Sequence, residues 1–269
     1  MAIGLIDFDD IDHWEPELAA VLRPLLPAAI GPTMMASAPQ NVEDALDLLF
    51  NISHRDAVID STANWIRSKN IAGYHGSRLT DSEIASVQEI GLIPLKAGAR
   101  RHRLERALSR HPGWTTVAGR LESVIQDHGQ GSVAGCREDQ VHLTLSKAGL
   151  TNGFNHYLTY GAEFDQHVAY TLLGAEGKAL LATDGEPTVI RIAVPGPLAL
   201  DAAHPYLNIN DMQARGEVPN LVRNILTAWS CRLARPGFQS RTLKIDCGMI
   251  FHSTVPADWI VGFERLSSY

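Results

Sequence analysis

The sequence predicts an α+β fold, and three observations carry that expectation. Strand-like runs gather in the C-terminal half: "VHLTLS" (141–146), "HYLTY" (156–160), "TVIRIAVP" (188–195), "LKIDCGMIFH" (243–252) and "WIVGFERL" (259–266). Helical periodicity dominates the front of the chain, so strands and helices do not alternate as a βαβ array requires. Neither GxGxxG nor GxxxxGK[ST] occurs, which leaves a dinucleotide-binding doubly wound sheet and a P-loop without support.

Residues 1–40 are rich in Pro and Ala, with a loop-like break at "GPTMMASAPQN" (31–41). "NVEDALDLLFNI" then opens on an Asn41 cap and spaces Ala45, Leu48, Leu49 and Ile52 at helical intervals. "RDAVIDSTANWIRS" continues in the same character and leads to "IAGYH", a short apolar run that reads as a strand end. Thr80 and Glu83 form a Thr-x-x-Glu capping box for a helix reaching about Ile90, where Gly91 predicts a left-handed C-cap. His75 to Arg78 are thereby expected at a strand-to-helix junction. Residues 99–130 read as helical with a break at "HPG", and further helices are expected at about 163–173 and 218–234. The expected organisation is a helical region over 1–69 and a second domain over 70–269, with a helical insertion at about 96–139.

The totals exclude several classes. A chain of 269 residues, 45% apolar and 20% charged, is long enough for a substantial core. Its formal charge of −7 argues against a protein whose whole surface binds nucleic acid. Cys136, Cys231 and Cys247 contain no CxxC pair and are too scattered for a disulfide framework. The start "MAIGLIDFDDIDHWEPEL" lacks a basic region and a long apolar run, and no stretch reaches the roughly 18 to 20 apolar residues of a spanning helix. A cytoplasmic protein with no membrane contact is expected.

"YHGSRLTDSEIASVQEIGLIPL" (74–95) carries the densest chemistry. His75 can hydrogen-bond a sugar hydroxyl, Gly76 lets a ligand approach bare backbone, and Ser77 and Arg78 offer a hydroxyl and a cation for a pyrophosphate. The alternative is a turn glycine beside a satisfied, half-buried histidine. This stretch resembles the first motif of the ADP-ribosyltransferase superfamily, in its diphtheria-toxin-like and poly(ADP-ribose) polymerase branch. There an apolar-aromatic-His-Gly-Ser/Thr strand precedes a helix ending in Gly-Leu, matched here by Tyr74 to Arg78 and by Ile90-Gly91-Leu92. "FNHYLTYGAEFDQHVAYTLL" (154–173) is similar to the second motif, with Tyr157 in the strand position and Tyr160 or Tyr170 as the stacking residue.

The resemblance implies a split mixed β-sheet with NAD, as substrate, along its cleft. It implies ribose recognition by His75, a carboxamide clamp at Gly76, pyrophosphate contacts from Ser77 and Arg78, and a nicotinamide face lined by Tyr157. It also implies a late Glu that stabilises oxocarbenium character. The expected strand, "DCGMIFHSTVPADWIVGFERL", has no Glu before "MIFH". Asp246 and Glu217 are the first substitutes, followed by Glu163. The function so implied is ADP-ribose transfer from NAD to an acceptor that is a protein, a nucleic acid, a small molecule or water, in a toxin or defence setting. The alternatives are a non-catalytic NAD-binding or interaction module of the same fold and a 2′-phosphotransferase-like RNA enzyme.

Three other patterns were weighed. Glu163 and His167 are i, i+4 with His156 nearby, but HExxH is absent and a solvated helix face is expected rather than a metal site. Asp7-x-Asp9 in "LIDFDDID" is faintly like a phosphatase loop and reads as a solvated acidic turn. Arg100, Arg101, Arg103, Arg106 and Arg110 form either an exposed helix face or a docking patch for an acidic partner.

Overall fold

A computed structural model describes residues 4–129, 131–132, 137–204, 207, 209–245 and 247–267. The α+β expectation holds: helices accompany one six-stranded sheet of order β5-β3-β2-β4-β6, with β1 paired to β2. The strands are β1 (Leu5–Ile6), β2 (Asn70–Leu79), β3 (Val141–Thr144), β4 (Glu186–Pro195), β5 (Gly248–Phe251) and β6 (Ile260–Arg265). β1 runs parallel to β2 and β3 antiparallel to it, so the sheet is mixed. It forms one connected path where a split sheet is expected.

The chain divides into two compact units that interleave in sequence, whereas the pattern-based division has a single boundary after residue 69. The first comprises 1–74, 143–153 and 192–250; the second comprises 75–142, 154–191 and 251–269.

The first unit holds α1 (Ile11–Leu22), α2 (Ile30–Ser37), α3 (Val42–Asn51) and α4 (Arg55–Arg67). The Asn41 side chain accepts from Asp44 N at 2.8 Å, the cap the sequence predicts for α3. Residues 31–41, expected as a break, are mostly α2: Met34 is fully buried, so tertiary packing overrides the Gly-Pro signal. The "DFDD" turn is also not solvated. Asp7 accepts from the Tyr74 hydroxyl at 2.6 Å, and Asp9 accepts from Ser146 Oγ at 2.7 Å and Ala148 N at 2.8 Å. These bonds clasp the N-terminal loop to β2 and to Ser146, the N-cap of the helix that begins at Lys147.

The second unit holds α5 (Asp81–Ile90), α6 (Arg101–Leu108), α7 (Trp114–Val117) and α8 (Leu121–Asp127), after which the first unit contributes α9 (Lys147–Asn152). The second unit continues with α10 (His156–Tyr160) and α11 (Glu163–Leu181). The first unit is completed by α12 (Gly196–Ala202), α13 (Ile209–Ala214) and α14 (Asn220–Ala234), with α14 packed on α2 and α3.

In the second unit, Leu104, Leu108, Leu121, Val124 and Ile125 of the inserted helices bury against Phe164, Val168 and Leu172 of α11. The helical insertion expected at about 96–139 is thus a core element. The helix expected to end near 173 does break there: Gly174 has φ 62° and ψ −147° inside α11.

Three local expectations are corrected. β2 continues through Leu79, so His75 to Arg78 lie within the strand and not at its junction with α5. "HYLTY", expected as a strand from its aromatic content, is α10, which ends where Gly161 turns the chain at φ 79°. Gly91 does end α5 at positive φ (86°), but its ψ of −170° is extended rather than left-handed helical. The reason is a close approach: Leu92 N donates to Val255 O at 2.9 Å, and a Cβ on Gly91 would stand 2.1 Å from that oxygen. The Thr80–Glu83 capping box is present in full.

The Arg-rich stretch is the largest departure from the expected surface. Arg103 Nη1 donates to Glu83 Oε1 at 2.7 Å and Nη2 to Arg78 O at 2.7 Å. Arg100 Nε reaches Asp165 at 3.0 Å, and Arg103 Nε lies 3.3 Å from the same fully buried carboxylate. Arg106 grips Asp184 with two nitrogens at 3.1 and 2.7 Å and also reaches Glu83 at 3.2 Å. Arg110 caps Leu180 O at 3.0 Å and Thr183 O at 3.3 Å, while Arg101 pairs with Glu105 and Glu122. Arg100, Arg103 and Arg106 thus serve the interior of the unit, while Arg101 and Arg110 stay partly exposed.

Two outcomes follow. Gly91→Ala lowers stability by roughly 2 kcal/mol or more, because the added carbon must displace Val255 backbone; thermal unfolding at the wild-type temperature would contradict the account. The second concerns acid. Burial pushes the Glu83 carboxyl up, but Arg103, the Thr80 bonds and Arg106 outweigh it and hold the group at about 2, below its ordinary 4.5. A depressed carboxylate stabilises the fold above pH 4.5 and loses that contribution as pH falls towards 2. Denaturant titrations across that window show a stability slope in wild type that Glu83→Gln flattens. That variant is already destabilised by on the order of 3 kcal/mol near neutrality, since two guanidiniums lose a shared partner.

Candidate functional site

The second unit gathers a polar cluster at the start of α11. Gly161 turns the chain sharply after α10, and its carbonyl is held by Gln166 Nε2 at 2.9 Å. The turn brings the Glu163 carboxylate back onto α10. Tyr157 Oη donates to Glu163 Oε1 at 3.2 Å and His156 Nε2 lies 3.0 Å from the same oxygen. Arg137 Nε meets Glu163 Oε2 at 3.0 Å, its Nη1 donates to the Tyr157 hydroxyl, and its guanidinium stands 5.8 Å over the Tyr157 ring. The His156 and Tyr157 rings lie 4.0 Å apart. Glu163 sits at the first turn of α11, where the helix dipole favours a negative charge.

β2 and β3 supply the other side of the cluster. Tyr74 pairs with Thr144, so counting two residues along each strand sets Gly76 opposite His142. His75 Nδ1 lies 2.9 Å from the His142 carbonyl oxygen. A carbonyl only accepts, so Nδ1 carries the proton and Nε2 of the neutral ring is an acceptor. Burial lowers the His75 pKa, against the opposing pull of that carbonyl. The His142 imidazole is held at about 4. Burial is the largest cause, Arg137, His75 and His252 add to it, and Glu163 opposes. His142 is thus within electrostatic reach of His75, Arg137, Glu163 and His252. With Tyr157 and His156 the cluster offers one guanidinium, one carboxylate, a phenol and several imidazoles, of which those of His75 and His142 have lowered pKa values.

The expected site residues divide as follows. His75, Gly76 and Tyr157 contribute to this cluster, Tyr157 from a helix rather than the expected neighbouring strand. Ser77 is half-buried and shares the strand face of His75 by alternation. Arg78 does not join them: it lies on the opposite strand face and donates to Gly185 O at 2.6 Å and Leu158 O at 3.4 Å. Tyr160 is covered by Lys178, 4.3 Å from its ring centre, and Tyr170 projects into solvent at 62% exposure. Glu217 belongs to the first unit, where it lines a recess of about 520 Å³ with His204, Asn220 and Arg223. Asp246 lies outside the described residues. Glu163, expected after those two, stands beside Tyr157.

Sequence reasoning missed Arg137 and His142. The "CREDQVHLTLS" stretch did carry a signal, since a His two residues after Gln140 in a strand is positioned by the pairing with Gly76. The solvated face expected for Glu163 and His167 is not what forms: Glu163 is engaged by Tyr157, Arg137 and His156, and His167 lies against His128, ring centres 6.1 Å apart. No metal-binding group of three or more ligand side chains occurs among the described residues. No single described helix is long and apolar enough to cross a membrane.

The geometry sets a titration. The unfolded imidazole takes its proton near 6.5, whereas His142 in the fold waits until about 4. The stability held by its neutral form is therefore complete above pH 6.5 and lost as pH falls from 6.5 towards 4. Nitrogen-detected NMR resolves the two imidazoles, and a His142 titrating at or above 6.5 would contradict the cluster as described.

No family model, no curated protein and no solved structure matches the chain.

Proposed function

We propose that the chain is an ADP-ribosyltransferase-like enzyme that cleaves NAD. The observation that carries this reading is the neutral His75, its Nε2 preset as an acceptor by the His142 carbonyl, in one polar locality with Tyr157 and the Glu163 carboxylate. On this reading His75 Nε2 accepts from a ribose hydroxyl, and the Gly76 backbone meets the carboxamide. Glu163 faces the ribose carbon on which positive charge develops as the C–N glycosidic bond breaks; a preorganised anion stabilises that charge most. Nicotinamide leaves with the bonding electron pair, and an acceptor oxygen or nitrogen forms the new bond to the same carbon. Tyr157 and His156 orient Glu163. Arg137, half exposed, is the cation suited to the diphosphate in place of Arg78.

A second reading, a non-catalytic NAD-binding module, is favoured by one observation: Arg137, Tyr157 and His156 already occupy both oxygens of Glu163. Measuring nicotinamide release and NAD binding side by side separates the two. Wild type is expected to do both. Glu163→Gln slows release roughly 100-fold while affinity stays within about threefold, the pattern of an interaction made in the transition state. His75→Ala weakens binding and rate together. NAD binding without release by wild type supports the module; no binding ends both readings; release at the wild-type rate by Glu163→Gln removes that residue from the mechanism.

A further inference from the structure

Arg78 is a buried cation without a carboxylate. It is 7% exposed, and it donates to two neutral carbonyls, Gly185 O and Leu158 O. No described residue accepts from its Nε, and no described carboxylate lies within ion-pair distance of its guanidinium. Arg103, the other buried arginine of this unit, has Glu83 and Asp165 for that purpose. A charge withdrawn from water costs several kcal/mol unless a counter-charge compensates it. Arg78 is served only at longer range, by Asp184 and Glu186, and is opposed by Arg103.

The guanidinium lines a recess of about 420 Å³ whose rim carries Arg265, Glu186, Pro187 and Ser267. Arg265 is half exposed and is shared between Asp81 and Glu186, both at the surface. The recess thus has a buried positive floor, a second guanidinium able to swing onto a ligand, one acid and a hydroxyl at the rim. By strand alternation it opens on the face of β2 opposite His75 and Ser77. Two guanidiniums with a hydroxyl match the tetrahedral oxygens of a phosphate, and the volume exceeds what free phosphate fills, leaving room for an attached sugar.

We propose that this recess is a second binding site, for a phosphate monoester such as a sugar phosphate. The ester dianion supplies the counter-charge that Arg78 lacks, and Arg265 exchanges Glu186 for a phosphate oxygen. The site does not depend on the NAD reading, because none of its residues belongs to the locality of His75, Tyr157 and Glu163.

Calorimetry on the full chain tests it, with ribose 5-phosphate and inorganic phosphate as probes at matched ionic strength. The ester is expected to bind more tightly than inorganic phosphate. Arg265→Gln weakens the ester roughly tenfold, the loss of one charge-assisted bond. Glu186→Gln strengthens it, because the competing acid is gone. His75→Ala leaves it unchanged, which separates this site from the NAD cluster. Arg78→Met abolishes binding; should that variant fail to fold, the opposite signs of the Arg265 and Glu186 variants decide alone. No heat with either probe at about 10 mM, equal affinity for both probes, or an ester affinity indifferent to Arg265 and Glu186 overturns the proposal, and an affinity lost in His75→Ala assigns the phosphate to the other site.

Discussion

The Glu83 carboxylate is the constraint on which the second unit depends. It caps α5 through Thr80 and receives two guanidiniums from α6, those of Arg103 and Arg106. Those arginines carry the connection onward. Arg103 reaches Asp165 on α11 and the carbonyl of Arg78 on β2; Arg106 reaches Asp184 just before β4. One side chain therefore ties the end of β2, the inserted helices and the start of α11 into one frame. Because the ions are largely withdrawn from water, their mutual attraction is strong and any missing partner is expensive. The apolar core around Leu104, Phe164 and Val168 fills the space the frame defines.

The candidate site inherits its geometry from that frame. Asp165, fully buried and held by Arg100 and Arg103, is two residues beyond Glu163. Anchoring one carboxylate of the first helical turn fixes where the other emerges. At the far end, the Arg103 bond to Arg78 O pins β2 three residues after His75. The two groups proposed for ribose recognition and charge stabilisation are thus positioned by arginines that touch neither.

The sequence was most legible where chemistry is local. The Thr80–Glu83 box, the Asn41 cap and the Gly91 stop each follow from neighbours in the chain, and each occurs in the structure. It was least legible where the deciding partner is remote. "HYLTY" has strand-like residues, but Gly161 and the bonds to Glu163 settle it as a helix. Asp7 and Asp9 look like a solvated turn until Tyr74, Ser146 and Ala148 arrive from distant positions. The arginines of α6 look like a basic face because their acids come from Glu83, Asp165 and Asp184, which no window around residue 103 contains. Arg137 and His142 went unremarked for the same reason: neither belongs to a local pattern, and their importance comes from what stands beside them.

On the proposed reading, the acid that the resemblance to ADP-ribosyltransferases places late in the chain on a strand comes from a helix instead. A carboxylate that stabilises developing positive charge must remain ionised and must not rotate away. A strand residue meets these demands by packing. On the proposed reading Glu163 would be kept from rotating away by Tyr157, Arg137 and His156, which engage both of its oxygens. Arg137 has a double effect on this reading: it holds Glu163 in place, yet it partly neutralises the charge the reaction would use. A diphosphate drawing the guanidinium towards itself would leave the carboxylate with neutral partners only. The acid would then be strongest as a charge stabiliser only when the nucleotide is bound, and idle otherwise.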